Sequence, residues 1–289
     1  MLSPLLLLAL VRALAVPSPG DHSRTLRVGG VDRHFVLHIP RPARRGRLPL
    51  VVVLHGAGGS GRRMAAGTGF SAEADRRGFV AVYPDGIDGG WNDSRAVDGP
   101  DDVAFVRAML DTLAGELGTD PDRVYAAGIS NGAMFTHRLA CELPGTFAAI
   151  AAVAGGLPAS ATARCTGGPP VSFIGFNGTA DRLVPFEGGG ELLSATASAA
   201  HWAAVDGCDP SPSSVLRPDR APADGTRIRR WSWTGCASGT AVALYAVGGG
   251  GHSWPGAAPM HIPVLGRTTR DMSATRTIAA FFLAHPRIR

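Results

Sequence analysis

The sequence predicts an α/β fold, in which a mostly parallel central sheet is covered by helices on both faces. Short apolar runs alternate along the chain with longer stretches of helical spacing, which is the pattern of repeated strand and helix units. The runs are nearly continuous in apolar residues, as expected of strands that are buried on both faces. No internal repeat or low-complexity linker divides the 289 residues, so a single domain is expected.

The elements follow one another in a regular order. The chain begins with an antiparallel pair of strands that turns at Gly29-Gly30, and a further hairpin is expected around Asp224-Gly225. The remaining strands are separated by helices and are therefore expected to be parallel. The predicted strands are 24–27, 33–38, 48–54, 79–83, 124–127, 148–153, 171–176 and 241–247, and the predicted helices are 62–77, 101–117 and 133–143.

The first fifteen residues form a short apolar run that ends in Ala13-Leu14-Ala15. We interpret residues 1–15 as a secretory signal peptide that is cleaved after Ala15, which leaves residues 16–289 as the catalytic domain. The run is far shorter than the roughly 20 residues that span a bilayer, and no later segment is long and apolar enough. A secreted protein without a membrane partner is therefore expected.

The four cysteines are an even number in a chain that we expect to be exported, where disulfides are the usual state. Three pairings are possible. We favour Cys141 with Cys165 and Cys208 with Cys236, because each pair closes a short loop. The sequence has no Cys-x-x-Cys and no close Cys and His group, so no zinc site is expected. We expect neither another metal nor a cofactor.

The charge of the chain is basic, with a formal net charge of +5. All 28 basic residues are arginine, and they are scattered along the sequence and not arranged on one face. A phosphate-binding surface would need such an arrangement, so no nucleic-acid partner is expected. We expect a monomer that acts on a small-molecule or oligomeric substrate.

Gly128-Ile129-Ser130-Asn131-Gly132 lies between an apolar run and a helical stretch. A serine on a sharp turn between a strand and a helix needs glycines two residues before and after it, because strand and helix pass close to each other there. Ser130 is the only serine in the chain with glycine at both positions. The pattern predicts that Ser130 is a catalytic nucleophile.

A serine nucleophile requires a base and an orienting carboxylate. His252 follows the last predicted strand across a run of glycines, and Asp181 follows the strand 171–176. The order Ser130, Asp181, His252 is that of the α/β-hydrolases. The competing histidines lie in helical or loop contexts and are His55, His137, His201 and His285, with His201 the next candidate for the base.

The loop after the strand 48–54 reads His55-Gly-Ala-Gly-Gly-Ser60, where an oxyanion-hole donor is expected. We assign the two donors to the backbone amides of Ala57 and Asn131, with Gly58 as the alternative to Ala57. His55 is a candidate for shaping this loop. A phosphate loop of the Walker type requires a lysine, which this chain lacks.

Six segments together share a pattern with a known family. They are 55–60, 83–86 (Tyr-Pro-Asp-Gly), 91–93 (Trp-Asn-Asp), 128–132, 178–181 (Gly-Thr-Ala-Asp) and 250–256 (Gly-Gly-His-Ser-Trp-Pro-Gly). Over roughly residues 26–283 the chain resembles the polyhydroxybutyrate depolymerases, which are grouped with feruloyl and acetylxylan esterases. The resemblance implies that Ser130, Asp181 and His252 are nucleophile, orienter and base. One departure is Asn177, which stands where relatives usually carry histidine.

The sequence therefore predicts a secreted serine esterase for hydroxybutyrate-oligomer, feruloyl or short-chain acyl esters. Trp91 and Trp254 are expected to line a pocket for a bulky apolar acyl group. Because the chain ends soon after its last helix, we expect efficient hydrolysis of soluble esters and poor attack on crystalline polymer. Two alternatives stay open, namely a peptidase on the same fold and a non-catalytic binding protein on a hydrolase scaffold.

Overall fold

The computed structural model describes residues 17–41, 46–93, 99–165, 167–259 and 262–288. These residues form one ten-stranded sheet that is packed between helices. The predicted signal peptide at residues 1–15 lies outside the described residues. Within the described ranges, no helix combines the length and the apolar character that crossing a membrane would require.

The sheet has a parallel centre and antiparallel margins. Its spatial order is β1-β2-β4-β3-β5-β6-β7-β10-β9-β8. The six strands from β4 to β10 in this order are parallel, and two strands flank them in antiparallel pairing on either side. The strands are β1 (Gly20–Val28), β2 (Val31–Ile39), β3 (Leu50–Leu54), β4 (Val80–Pro84), β5 (Val124–Ile129), β6 (Ala149–Val153), β7 (Ser172–Gly178), β8 (Ser213–Leu216), β9 (Arg227–Trp233) and β10 (Val242–Gly248).

Helices cover both faces of this sheet, as the sequence predicts. The helices are α1 (Gly61–Thr68), α2 (Phe70–Arg77), α3 (Asp102–Leu117), α4 (Asn131–Glu142), α5 (Ala159–Thr162), α6 (Ala195–Val205) and α7 (Ala274–Ala284). Residues of α1, α2 and α7 belong to the core on one face, and residues of α3, α4 and α6 belong to the core on the other. The predicted α/β fold with a mostly parallel sheet is therefore confirmed.

Strand β3 shows how one apolar run serves both cores. Leu50, Val52 and Leu54 belong to the cluster with α3, α4 and α6. Val51 and Val53, which alternate with them, belong to the cluster with α1, α2 and α7. Successive side chains of a strand point to opposite faces, so a strand between two helical layers must be apolar at every position.

Two elements differ from the sequence prediction. The single helix predicted at 62–77 is broken at Gly69, whose φ of 73° lies in the left-handed region and ends α1 before α2 begins. The hairpin of β8 and β9 exists, but residues 217–226 connect its strands in place of a tight turn. Asp224 binds the backbone amides of Thr226 and Arg270, so this connection is anchored to the segment before α7.

The structure contains both disulfides that the sequence favoured. Cys141 in α4 is joined to Cys165, and Cys208, just after α6, is joined to Cys236. The first bridge ties α4 to the segment after β6, and the second ties the end of α6 to the strand hairpin at the margin of the sheet.

Candidate active site

Ser130 occupies the turn between β5 and α4. Its backbone has φ of 57° and ψ of −126°, a combination that L-residues rarely adopt. The conformation lifts Ser130 out of the strand direction, and the residue remains partly exposed. The strand, strained turn and helix required of a nucleophile elbow are all present.

The glycines around Ser130 are required by close backbone approaches. A Cβ atom on Gly128 would overlap the carbonyl group of Gly132, and one on Gly132 would overlap the carbonyl oxygen of His55. A Cβ atom on Gly56 would lie 3.2 Å from Cβ of Ser130. The strand, the helix and the loop after β3 therefore meet at the nucleophile, and no side chain larger than hydrogen fits at Gly128 or Gly132.

Asp181 and His252 form a hydrogen-bonded pair after β7 and β10, respectively. Nδ1 of His252 lies 2.8 Å from Oδ2 of Asp181, and both residues are buried. The other carboxylate oxygen accepts hydrogen bonds from the backbone amides of Leu183 and Val184, each at 2.9 Å. Because the carboxylate accepts from Nδ1, the Nδ1 atom carries the proton and Nε2 is left as a base.

Hydrogen bonds between two loops hold this pair in place. Ala180 donates to the carbonyl of Gly250 at 2.8 Å, and the amide of Gly249 donates to the hydroxyl of Thr179 at 3.0 Å. A Cβ atom on Gly178 would overlap the carbonyl oxygens of Gly250 and Gly251. The loop that carries Asp181 and the loop that carries His252 are therefore fastened to each other directly.

Ser130, Asp181 and His252 all lie at the carboxyl edge of the parallel strands. The strands β5, β6, β7 and β10 are consecutive neighbours in the sheet, so the three loops leave from the same edge. Among the described residues, the Ser130 hydroxyl has no hydrogen-bond partner, and Ser130 Oγ is thus not bonded to His252 Nε2. Catalytic hydrogen bonds often form only when a substrate is bound.

The amides of Ala57 and Asn131 are free to act as donors. Neither finds an acceptor within the described parts of the chain, and Asn131 directly follows the nucleophile at the start of α4. The amide of Gly58, the alternative donor, is already committed to the carbonyl of Gly89 at 2.8 Å. The geometry thus favours Ala57 over Gly58.

His55 shapes the loop that holds Ala57. Its Nδ1 lies 2.8 Å from the carbonyl of Gly56, and its Nε2 accepts the amide of Gly86 at 2.9 Å. A carbonyl only accepts and an amide only donates, so the imidazole is neutral, with its proton on Nδ1. Burial lowers the pKa of His55 below its usual value, although the bond to Gly56 and the charges of Asp85 and Asp102 act in the opposite direction.

The side chain of Asn131 has a role that the sequence analysis missed. Its Oδ1 accepts the amide of Trp91 at 2.8 Å, and its Nδ2 donates to the carbonyl of Trp91 and to Oδ2 of Asp93. Asn131, which the sequence predicts to supply an oxyanion donor, is thereby anchored to the loop at 91–93. The Trp-Asn-Asp motif at residues 91–93 marked this loop in the sequence, but nothing in the sequence identified Asn131 as the residue that binds it.

Both tryptophans that were expected to line an acyl pocket lie in the core. Trp91 is 5% exposed, stacks on Phe135, and donates its indole NH to the carbonyl of His55. Trp254 is 6% exposed and donates to the hydroxyl of Thr275. This placement differs from the prediction, because a buried indole needs an acceptor and a packed partner and finds both here. Trp91 instead contacts the loop after β3 through the carbonyl of His55.

Asn177, which replaces the usual histidine, lies in β7 and is 6% exposed. Its side-chain amide donates to the carbonyl of Gly155 at 3.2 Å. The substitution therefore ties the end of β7 to the segment after β6. Among the described residues, no group of three or more His, Cys, Asp or Glu is placed to hold a metal ion.

Comparisons with known proteins identify related sequences. A model of the family described as Esterase PHB depolymerase matches residues 33–166. NocK of Nocardia uniformis subsp. tsuyamanensis, named as an esterase, is 37% identical over 285 residues, which covers 90% of this chain and 82% of NocK. Feruloyl esterase C of Emericella nidulans is 28% identical over 248 residues, which covers 81% of this chain and 83% of that protein.

A solved structure extends the comparison to the fold. The acetyl xylan esterase from Aspergillus awamori superimposes with a TM-score of 0.63 and covers 91% of this chain and 99% of its own. Its sequence is 15% identical, so the similarity concerns the fold alone.

Proposed function

Because the chain belongs to the Esterase PHB depolymerase family of carboxylic-ester hydrolases, we propose that it hydrolyses esters through a Ser130, His252 and Asp181 triad. The observation that carries this proposal is the strained turn at Ser130, placed at the same sheet edge as the Asp181 and His252 pair. Strain of this kind costs about 1–3 kcal/mol, persists only where the surrounding structure enforces it, and is concentrated at functional sites.

In the first half of the reaction, Ser130 Oγ attacks the carbonyl carbon of the ester while His252 Nε2 takes the hydroxyl proton. Asp181 holds the imidazole in the required tautomer and stabilises its positive charge. Negative charge develops on the former carbonyl oxygen, and the free amides of Ala57 and Asn131 are the donors that would stabilise it. His252 then returns the proton to the departing alcohol, which leaves an acyl group on Ser130.

In the second half, water attacks the acyl group and transfers a proton to His252. The tetrahedral intermediate again places its charge between the two amides. When it collapses, Ser130 Oγ leaves and regains the proton from His252, and the free acid is released. No metal or redox step enters this sequence.

We further propose that the substrates are soluble esters with a short acyl, hydroxybutyrate-oligomer or hydroxycinnamoyl group. Similarity to a feruloyl esterase supports this range. Leu183, adjacent to the Asp181 pair, is 49% exposed and offers an apolar contact beside the site. The proposal also includes secretion as a monomer, and the two disulfides support an oxidising compartment.

Triad variants test the mechanism. Ser130→Ala and His252→Ala are each expected to lower turnover of a short-chain nitrophenyl ester by several orders of magnitude, with thermal unfolding unchanged in form. Asp181→Asn should cost less, since the serine, the histidine and the oxyanion donors remain. Near-normal turnover of His252→Ala would disprove the assignment and direct attention to His201.

Two reagents separate the alternatives. An active-serine phosphonate should label the wild-type protein and not Ser130→Ala, whereas a non-catalytic binding protein would remain unlabelled. A peptide nitroanilide tested beside the nitrophenyl ester distinguishes a peptidase from an esterase. Preference for the anilide would contradict the proposed substrate class.

A further inference from the structure

The end of β6 and the two residues beyond it, 153–155, lie between the nucleophile turn and β7; we call them the bridging segment. On one side, the amide of Ser130 donates to the carbonyl of Val153 at 2.9 Å. On the other side, the amide of Ala154 donates to the carbonyl of Phe176 at 2.8 Å. Ser130 follows β5 and Phe176 belongs to β7, and these strands are the two neighbours of β6. The bridging segment therefore joins the nucleophile turn to the strand that leads to Asp181.

Gly155 packs directly against the nucleophile turn. A Cβ atom on Gly155 would lie 2.6 Å from Cβ of Ala133 and 3.0 Å from the carbonyl oxygen of Ser130. The backbone of Gly155 thus fits against Ser130 and the first turn of α4 with no space for a side chain. Because protein interiors are closely packed and transmit displacements, the position of Gly155 influences the position of Ser130.

The conformation of the bridging segment has to be enforced by its neighbours. Ala154 has φ of 48°, in the left-handed region that a residue with a Cβ atom rarely occupies. Such a conformation persists only where the surrounding contacts determine it. Ala154 is buried, and hydrogen bonds from β7 hold the chain both at Ala154 and at the next residue, Gly155.

Asn177 supplies the second of these hydrogen bonds. Its Nδ2 donates to the carbonyl of Gly155 at 3.2 Å, in a buried position near the carboxyl end of β7. A carbonyl oxygen only accepts, so the side chain at this position has to present a donor. The next residue, Gly178, is the one whose backbone lies against the carbonyl groups of the His252 loop. Asn177 thus reaches from the strand that carries the acid and base loops to the segment that contacts Ser130.

We propose that Asn177 is a positioning residue, which fixes Ser130 relative to the Asp181 and His252 pair by holding Gly155. The inference rests on the proposed triad mechanism. Both halves of the reaction move a proton between Ser130 Oγ and His252 Nε2, and this transfer requires the two atoms to come within hydrogen-bond reach. Loss of the contact with Gly155 should therefore slow the chemistry, while the hydrogen bond between His252 and Asp181 stays in place.

Two substitutions that remove the donor test the proposal. Asn177→Ala deletes the contact, and Asn177→Val fills most of the same volume with a side chain that suits a strand. Each should lower kcat/KM for a short-chain nitrophenyl ester at least about tenfold. The rate of labelling by the active-serine phosphonate should fall by a similar factor, because that reaction also depends on the serine and histidine pair. Values of kcat/KM within about twofold of the wild type for both variants would overturn the positioning role.

Ser172→Ala is the matched control. Ser172 is the first residue of β7, is buried, and accepts the amide of Ala241 on its hydroxyl at 3.1 Å. The substitution therefore removes a buried side-chain hydrogen bond from the same strand, at the end away from the triad. Ser172→Ala and Asn177→Ala should both lower the midpoint of urea unfolding, but Ser172→Ala should leave kcat/KM unchanged. An equal loss of kcat/KM in Ser172→Ala would reduce the effect to general stability and refute the positioning role.

The pH profile of kcat/KM distinguishes the route through Gly155 from one through the Asp181 loop. Because the Asp181 and His252 pair stays intact, the acidic inflection of the Asn177 variants should coincide with that of the wild type. A shifted inflection would place the effect on the Asp181 loop and overturn the route through Gly155. A wild-type protein that neither hydrolyses the ester nor reacts with the phosphonate would refute the proposed function itself. An active wild type with unaffected Asn177 variants would refute the positioning role alone.

Discussion

Because the backbone of Ser130 is strained, we predict that Ser130→Gly is more stable than Ser130→Ala. Ser130→Gly frees the residue to adopt φ of 57° and ψ of −126° without a Cβ penalty, whereas Ser130→Ala keeps that penalty. Both variants lack the hydroxyl, so the comparison between them isolates the backbone. Both should be inactive as esterases.

The magnitude follows from two opposing contributions. Relief of strain is worth about 1–3 kcal/mol. Glycine loses about 0.4–1 kcal/mol relative to alanine, because its unfolded chain has more freedom. The glycine variant should therefore be more stable than the alanine variant by roughly 1 kcal/mol, which corresponds to about 2 °C in Tm for a chain of this size.

Urea unfolding followed by circular dichroism measures this difference. Ser213, an exposed residue of β8, provides the matched control, because its strand backbone is accessible to any residue. There the glycine variant should be less stable than the alanine variant by about 0.4–1 kcal/mol. If Ser130→Gly were no more stable than Ser130→Ala, the turn would not be strained and the nucleophile-elbow argument would lose its physical basis.

Two further predictions concern the loops and the core. Gly178→Ala should lower ester kcat/KM by more than about tenfold, because the new Cβ would push away the Gly250 carbonyl and displace His252 from its carboxylate. The control is Gly115→Ala, whose Cβ would meet no atom within 4 Å and which should leave kcat/KM unchanged. Equal activities of the two variants would show that the loops adjust freely. Burial, together with the nearby His201, lowers the pKa of His137 to about 3. As the pH falls below 6.5, this histidine is protonated in the unfolded chain before it is protonated in the folded protein. Stability that is present above pH 6.5 is therefore lost as the pH falls toward 3. The loss of unfolding free energy should reach about 2 kcal/mol between pH 7.5 and pH 5. His137→Gln keeps an acceptor for the indole of Trp202, and its urea midpoint should depend less on pH across this range. An unchanged pH dependence would assign the acid sensitivity to other groups.

The central strands and the nucleophile turn were predictable because their signals are local. A run such as 50–54 must be apolar at every position once helices cover both faces of a strand. Gly128 and Gly132 lie where strand and helix approach each other closely, so the two glycines indicate this turn within five residues of sequence. The placement of Ser130, Asp181 and His252 after three strands could be predicted for the same reason, since each strand is recognisable in the sequence.

The remaining features depend on contacts between distant segments. Strand β8 is exposed along its whole length, so it lacks the alternation that reveals a half-buried strand. Trp254 lies two residues after His252 in the same motif, yet its ring contacts Phe70, which is more than 180 residues away in the sequence. The bond between Asn131 and Trp91 joins residues that neither periodicity nor turn chemistry relates.

The hydrogen bonds between the Asp181 loop and the His252 loop divide the proposed catalytic residues into two structural units. One unit comprises the acid and the base, which are linked across neighbouring strands β7 and β10. The other comprises Ser130 and its oxyanion donors, anchored to β3 and β5. Only β6 separates the two units in the sheet, so the twist between β5 and β7 contributes to the distance between Ser130 and His252. We therefore expect substitutions in the packing around β6 to alter the rate of ester hydrolysis without contacting a reacting atom.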